Sequence, residues 1–367
     1  MENNRRKVFK SKDVKKPFKS YDVSAFDEIF IDGSSFPIKL TSPKLTIKGQ
    51  RELKKPALIE EMPNNLKLHH NVTFTKKEEE EALNIFKTTN YYRISVFSEY
   101  LDENRSFTRI LELYRFDSFL RESINRLIPP IEIALKTTLS YFLAMNYKQL
   151  IDEPTEEEGL VYLDYSIFKN EFVNNGKVNE MLAHFAEFFE SKQDKDPSIK
   201  HHVEYYGGQI PIWVLVEHLT LGDIATFVTY LDRPIRKKWV DFFMKDIKDK
   251  WIIEWIKTIQ FLRNSGAHCS RFYGKMFNYN PQFTNIMVNQ LPEDIKKEQK
   301  KIDKLQHTFF AGLLIMKNFY MILPKNEREN WNIFLDKLDC RIKKYSADTY
   351  RIGFTNNWYD MLKIVDE

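Results

Sequence analysis

Apolar positions recur along most of this chain at spacings of three and four, and long stretches carry neither proline nor glycine. That period belongs to helices with one buried face, whereas half-buried strands alternate. The clearest case spans 107–127, where Phe107, Ile110, Leu111, Tyr114, Leu120, Ile124 and Leu127 share one stripe. Pro129-Pro130 is expected to end this helix and open another over 131–147, since proline is tolerated in a first turn. Upstream, Thr75 with Glu78 three residues on reads as a capping box for a helix through Lys87, its acidic run 78–81 forming a solvated face. Arg93 begins a second helix, to Leu101. Downstream, helices are expected over 178–191, 212–219, 224–231, 236–246, 250–263 and 305–323. Pro211 opens the second of these, and Asp223 caps the third after a break at Leu221-Gly222. A polar loop is expected over 193–197.

Before about residue 75 the pattern dissolves. Pro17, Pro37, Pro43, Pro56 and Pro63 interrupt any helix, and only 38–48 reads as extended. The expected architecture is therefore an all-α helical bundle over 76–280, preceded by an irregular basic extension (1–75) and followed by a helical extension (281–367). Short connections imply antiparallel neighbours, and no repeat of 20–50 residues is visible.

Composition sharpens this only in part. At 43% hydrophobic and 14% aromatic, 367 residues can bury a large core, which excludes a disordered chain. Eleven glycines are too few for a turn-rich β-fold. A net charge of +4 says nothing of nucleic acid by itself. The first twenty residues, however, hold eight lysines and arginines against Glu2 and Asp13. This arm reads either as solvated tail or as a contact for phosphates. It has no apolar core of a signal peptide, and no run of about 18 apolar residues suggests a membrane span. Cys269 and Cys340 form no framework, which suits a reducing cytoplasm. The pairs His69-His70 and His201-His202 lack further ligands at useful spacing, so neither metal nor cofactor is expected.

The chemistry concentrates in Arg263-Asn264-Ser265-Gly266-Ala267-His268. Metal-independent RNA cleavage needs a group that moves protons near neutral pH, which histidine supplies as a residue type. It also needs a fixed cation on the phosphate oxygens, where arginine's planar fork serves. The nucleophile is then the substrate's own 2′-OH. Spacing alone is weak support, since about one Arg and His pair at this separation is expected by chance with eight histidines. On an unbroken helix the two would point about 140° apart. Ser265-Gly266 is therefore expected to bend the chain and bring them to one cleft, with Asn264 holding the bend. Arg271, Tyr273 and Lys275 follow as a basic–aromatic cluster for phosphate contact and base stacking.

Three further blocks stand in order before that segment: Asn90-Tyr91-Tyr92-Arg93-Ile94-Ser95; Leu113 to Arg121 (LYRFDSFLR) with Pro130-Ile131-Glu132-Ile133-Ala134; and Pro211 to Gly222 (PIWVLVEHLTLG). With Arg263-Asn264-x-x-Ala267-His268 they resemble the Abi-like proteins of bacterial anti-phage systems (AbiD/AbiF type), over roughly residues 78–280. That family is grouped with the HEPN superfamily, all-α proteins whose Arg-x(4–6)-His motifs form RNase centres. The resemblance implies an abortive-infection endoribonuclease with Arg263, Asn264 and His268 at its centre. It also implies a homodimer with a composite site, and RNA partners that include a small non-coding antitoxin RNA. Two positions depart from the pattern: Cys269 stands where a second His is frequent, and Ile94-Ser95-Val96-Phe97 replaces a Leu-Ser-Gly-Tyr segment. Tyr92 and Arg93 are candidates to clamp RNA, with core packing as the alternative. Glu217 is a candidate to orient Arg263 or His268, against an ion pair at the core edge. Asp117, Arg121 and Glu132 read as a structural charge network, His218 as a satisfied interior histidine, and Cys269 as a packing residue or a redox-sensitive thiol. The rival reading of the whole chain is a non-catalytic protein that holds a structured small RNA.

Overall fold

The computed structural model describes residues 56–102, 105–244 and 247–365; the basic arm and the stretch 38–48 lie outside them. Residues 58–367 form one unit. Among the described residues the chain is helical, and strand-like pairing is limited to two isolated bridges, Thr73 with Ser106 and Phe168 with Leu231. The fold is all-α.

Helix α1 (Met62–His70) lies in the region expected to be irregular. Pro63 sits in its first turn, where a missing N–H costs no hydrogen bond, so this proline starts a helix rather than breaking one. Helix α2 (Lys76–Phe86) forms as its sequence directs: Thr75 Oγ1 accepts from the Glu78 amide, and the Glu78 carboxylate accepts from the Thr75 amide. Glu78 is more than a solvated charge, because it also accepts from the amide and hydroxyl of Thr108. Burial raises its carboxyl, but the bonds from Thr108 and Thr75 outweigh that and hold it down at about 2. The expected second helix is shorter and starts earlier: α3 (Tyr91–Ser95), capped by Asn90, passes into a 3₁₀ turn over Val96–Tyr100.

Helix α4 (Phe107–Leu150) is one element of 44 residues, about 66 Å long, where two were expected. Pro129 and Pro130 lie inside it. They leave the carbonyls of Asn125 and Arg126 without helical donors, but both those residues are exposed, so water can satisfy the carbonyls. The opposite side carries Leu127, Ile128 and Ile131, all buried. Packing along that side holds both halves in line, and tertiary burial overrides local propensity.

Short α5 (Asn170–Asn174) precedes α6 (Lys177–Lys192), near its expected place. Helix α7 (Pro197–Tyr205) follows the polar loop and is capped by Asp196, which accepts from the amides of Ser198 and Ile199. Pro211 caps α8 (Ile212–His218) as expected. Leu221-Gly222 opens the next helix, α9 (Leu221–Tyr230), rather than separating it from a cap: Thr220 is the cap and Asp223 its reciprocal partner. Helix α10 (Arg233–Phe243) is tied to α11 (Asp249–Ala267) by a buried ion pair, Arg236 to Asp249 at 3.0 Å.

After residue 280 come α12 (Asn285–Gln290), α13 (Glu293–Lys296), α14 (Gln299–Gln306), α15 (Phe309–Met321), α16 (Lys325–Tyr345) and α17 (Trp358–Leu362). Helix α15 is apolar on nearly every side and accordingly buried, against α4, α11, α14, α16 and α17. Helix α4 is thus an axis on which α8, α10, α11, α15 and α16 pack. Among the described residues no helix is long and apolar enough to cross a membrane.

Candidate functional site

Helix α11 buries Ile252, Trp255, Ile256, Ile259 and Leu262, and runs without a break through Ser265-Gly266 to Ala267. The expected bend is absent, and Gly266 has another purpose. A Cβ there would stand 2.4 Å from Asn125 Oδ1, so the glycine lets α11 lie close against α4. The helix then ends in a Schellman turn: the Ser270 amide donates to the Ser265 carbonyl at 2.8 Å, and the Cys269 amide to Gly266 at 3.1 Å. His268 is the capping residue. Cys269 takes the left-handed position, φ 53°, that glycine usually fills.

With the helix unbroken, Arg263 and His268 of one chain diverge by about 140°. His268 instead shares a face with Asn264, one turn away. Arg263 and His268 are both exposed. The Arg263 guanidinium donates to the Asn264 side-chain oxygen at 3.2 Å. Among the described residues, neither Arg263 nor His268 forms an ion pair with a carboxylate.

The segment after His268 is pinned from two sides. Asp117 of α4 is fully buried, and its Oδ1 accepts from the amides of Phe272 (2.7 Å) and Tyr273 (2.8 Å). Its other oxygen pairs with Arg121, one turn along α4. Burial pushes the Asp117 carboxyl up, while Arg121, the two amides and Arg271 oppose that shift. From α3, the Arg93 guanidinium donates to the Cys269 carbonyl at 2.8 Å. Tyr100 closes the far end: its hydroxyl donates to the Gly274 carbonyl at 3.1 Å, and the guanidinium of Arg271 stands 5.2 Å over its ring.

These contacts gather several predicted residues into one concavity of about 380 Å³, lined by Tyr92, Arg93, Arg121, His268 and Arg271. Tyr92 is largely exposed, at 72%. Asn264, one turn before His268, opens instead into a second concavity of about 670 Å³ along α11. Two expectations, for Tyr273 and Glu217, are corrected. Tyr273 is 1% exposed and packs edge-on against Tyr100 and Phe116, so its ring is not available to stack on a base. Lys275 is half-buried with its ammonium 5.7 Å over the Phe277 ring, outside the first concavity. Glu217 is exposed at the end of α8; its backbone carbonyl accepts from Lys136, and its carboxylate bonds neither Arg263 nor His268. Lys136 in turn pairs with Glu132 at 2.9 Å within α4. His218 is half-buried, 3.7 Å from Asp196. Cys269 is exposed rather than packed.

Tyr100 was not legible as part of this site, because nothing in the sequence links it to a loop some 170 residues on. Asp117 left a signal: an acidic residue inside an apolar stripe, with Arg121 at the helical spacing of an ion pair. Among the described residues no cluster of three or more His, Cys, Asp or Glu side chains is placed to hold a metal.

Comparison with curated proteins and with solved structures gives no match. A family model does match: that described as Abi-like protein, over residues 84–274, from within α2 to the end of the pinned segment. The match spans just over half of the chain and includes all of α11, His268, Arg93 and Asp117; the chain belongs to the family of Abi-like proteins, which ties it to abortive infection, a form of anti-phage defence.

Proposed function

We propose that this protein is a metal-independent endoribonuclease of the HEPN type that acts in abortive infection. The observation that carries this reading is the state of Arg263 and His268: both are exposed at one helix end and, among the described residues, neither is neutralised by a carboxylate. An arginine serving only the fold would be expected on an acidic partner or, like Arg93, on the backbone carbonyl of another element. In the reaction, the ribose 2′-OH attacks the adjacent phosphorus and the bond from phosphorus to the 5′-oxygen breaks. His268 moves the proton, and Arg263 holds the phosphate oxygens as charge builds on them. The products are a 2′,3′-cyclic phosphate and a 5′-hydroxyl. Because the two side chains of one chain diverge, a complete site draws on two copies of the α11 end, which makes the working unit a homodimer. Arg93 and Arg271 supply further phosphate contacts beside His268, and a bound small RNA would restrain the enzyme through the same surface.

Purified protein is expected to cut RNA in the presence of EDTA. Arg263→Ala or His268→Ala should lower the rate about 10²-fold or more. Unchanged cleavage by His268→Ala would overturn the mechanism.

The separation of Arg263 from His268 within one chain also favours a second reading, an RNA-binding protein without turnover. Nucleic acid that copurifies, binding that weakens steeply with salt, and indifference to Arg263→Ala would together select it.

A further inference from the structure

The larger concavity, about 670 Å³, has no role in the reaction just described, and its lining is unlike that beside His268. Its one cation from α11, Lys257, is neutralised by Glu254 at 3.1 Å, so it is a poor site for phosphate. What it offers is amides. Gln260 and Asn264 come from α11, and Asn278 and Asn280 from the chain just after the matched family region. Among the described residues, the side chains of Gln260, Asn278 and Asn280 have no hydrogen-bond partner. His307 completes the wall with its orientation set, Nδ1 lying 3.0 Å from the Phe277 carbonyl. The half-buried Phe261 supplies an apolar side, backed edge to face by the buried ring of Tyr279. A volume of this size falls within the roughly 300–1,000 Å³ of small-ligand sites.

From these features we infer that the concavity is a base-reading subsite for one unpaired RNA nucleotide next to the cleaved linkage. Side-chain amides carry a donor and an acceptor side by side, which is what the edge of a nucleobase requires, and an aromatic wall suits its face. Asn264 places the subsite one helical turn, about 6 Å, from His268. The nucleotide identity comes from the proposed nuclease reading, on which this inference rests, but its test does not require turnover.

The test measures binding of labelled octaribonucleotides of A, C and U to the His268→Ala protein, with and without Asn278→Ala/Asn280→Ala. Both asparagines are exposed, so the fold should tolerate their loss. Against the His268→Ala protein, the best and worst oligomers should differ by roughly tenfold, the scale of one bidentate amide–base pair. The asparagine double variant should bring that ratio to within about twofold, with the salt dependence of binding unchanged. Asn280→Asp, which removes a donor, should reorder the three rather than equalise them. No base preference in the parent, or one that survives the double variant, overturns the inference, as does failure to bind any oligomer. If the wild-type protein never cuts RNA yet the preference is present and lost in the variant, the subsite stands and the nuclease reading falls. If it cuts and the base beside the cut is unaltered by the double variant, the subsite falls alone.

Discussion

Replacing Asp117 with alanine is expected to be among the most damaging single changes near the helix end. The carboxylate is fully buried and satisfies three donors at once: the amides of Phe272 and Tyr273, and the Arg121 guanidinium, itself 11% exposed. Truncation leaves the two amides without an acceptor and the Arg121 guanidinium with only the Ser118 hydroxyl, at 2.6 Å. A buried donor left unpaired costs about 1–3 kcal/mol. Removing one partner of a buried ion pair costs about 3–5 kcal/mol. The two figures count some of the same atoms, so the expected loss is about 4 kcal/mol. Asp117→Asn keeps one acceptor but turns an N–H toward a donor, and should lose about 2 kcal/mol. Urea unfolding reads both values from the midpoint, provided the slope stays constant. Asp117→Ala combined with Arg121→Ala gives a sharper test, because removing the stranded charge should recover about 1 kcal/mol or more relative to the sum of the single changes. A loss below about 1 kcal/mol for Asp117→Ala, or strict additivity in the double variant, would refute the assignment of Asp117 as the anchor of the segment after His268.

Two other predictions concern the same region, and a third the carboxylate that Tyr147 of α4 contacts. Gly274 has φ 67°, and a Cβ there would lie 2.3 Å from the Tyr100 ring, so Gly274→Ala should lower stability by about 2 kcal/mol or more in a thermal melt; a variant that melts with the parent would show that the ring moves freely. Cys269 holds a left-handed position in the Schellman turn, so Cys269→Gly should be neutral or stabilising by up to about 1 kcal/mol, while Cys269→Val should destabilise; equal melting temperatures for the two would count against the strain. Burial raises the Asp164 carboxyl, but hydrogen bonds from Ser166, Tyr147 and Thr155 outweigh it and hold the group at about 2. A carboxyl depressed on folding gives stability above its unfolded value, near 3.8, that is lost as pH falls through about 2. Asp164→Asn should therefore flatten the acid limb of urea unfolding measured from pH 5 to 2, and identical limbs would sink the assignment.

What the sequence disclosed and what it concealed divide along the range of the interactions. The Thr75–Glu78 cap and the Pro211 helix start were legible, because every atom they need lies within three residues. So was the Asp117–Arg121 pair, at helical spacing. The passage of α4 through Pro129-Pro130 was not, since packing along its buried side decides it. Nor was the continuation of α11 through Gly266: locally that glycine reads as a break, and only Asn125 on another helix shows it to be a point of close approach. Tyr273 illustrates the same limit, because a tyrosine among basic residues looks alike in sequence whether its ring faces solvent or the core.

The four sequence blocks gain a common physical reason once their contacts are traced. Asn90 caps α3, and that short helix presents Arg93, whose guanidinium holds the Cys269 carbonyl. The second block contributes Asp117, which accepts from the amides of Phe272 and Tyr273, and Arg121, which pairs with its other oxygen. The third ends at Gly222, where a Cβ would stand 2.8 Å from the Gln260 side chain, so its glycine leaves room for one of the amides of the larger concavity. The fourth is the α11 end itself. Three blocks distant in sequence thus each place a residue (Arg93, Asp117 and Gly222) against the α11 helix or the segment that follows it. Arg263 differs: among the described residues its guanidinium meets no carboxylate and bonds only the side chain of its neighbour Asn264, so stability gives little reason for an arginine there. A surface position with no structural task, at the point on which the surrounding scaffold converges, is where chemistry on a bound phosphate is best sought.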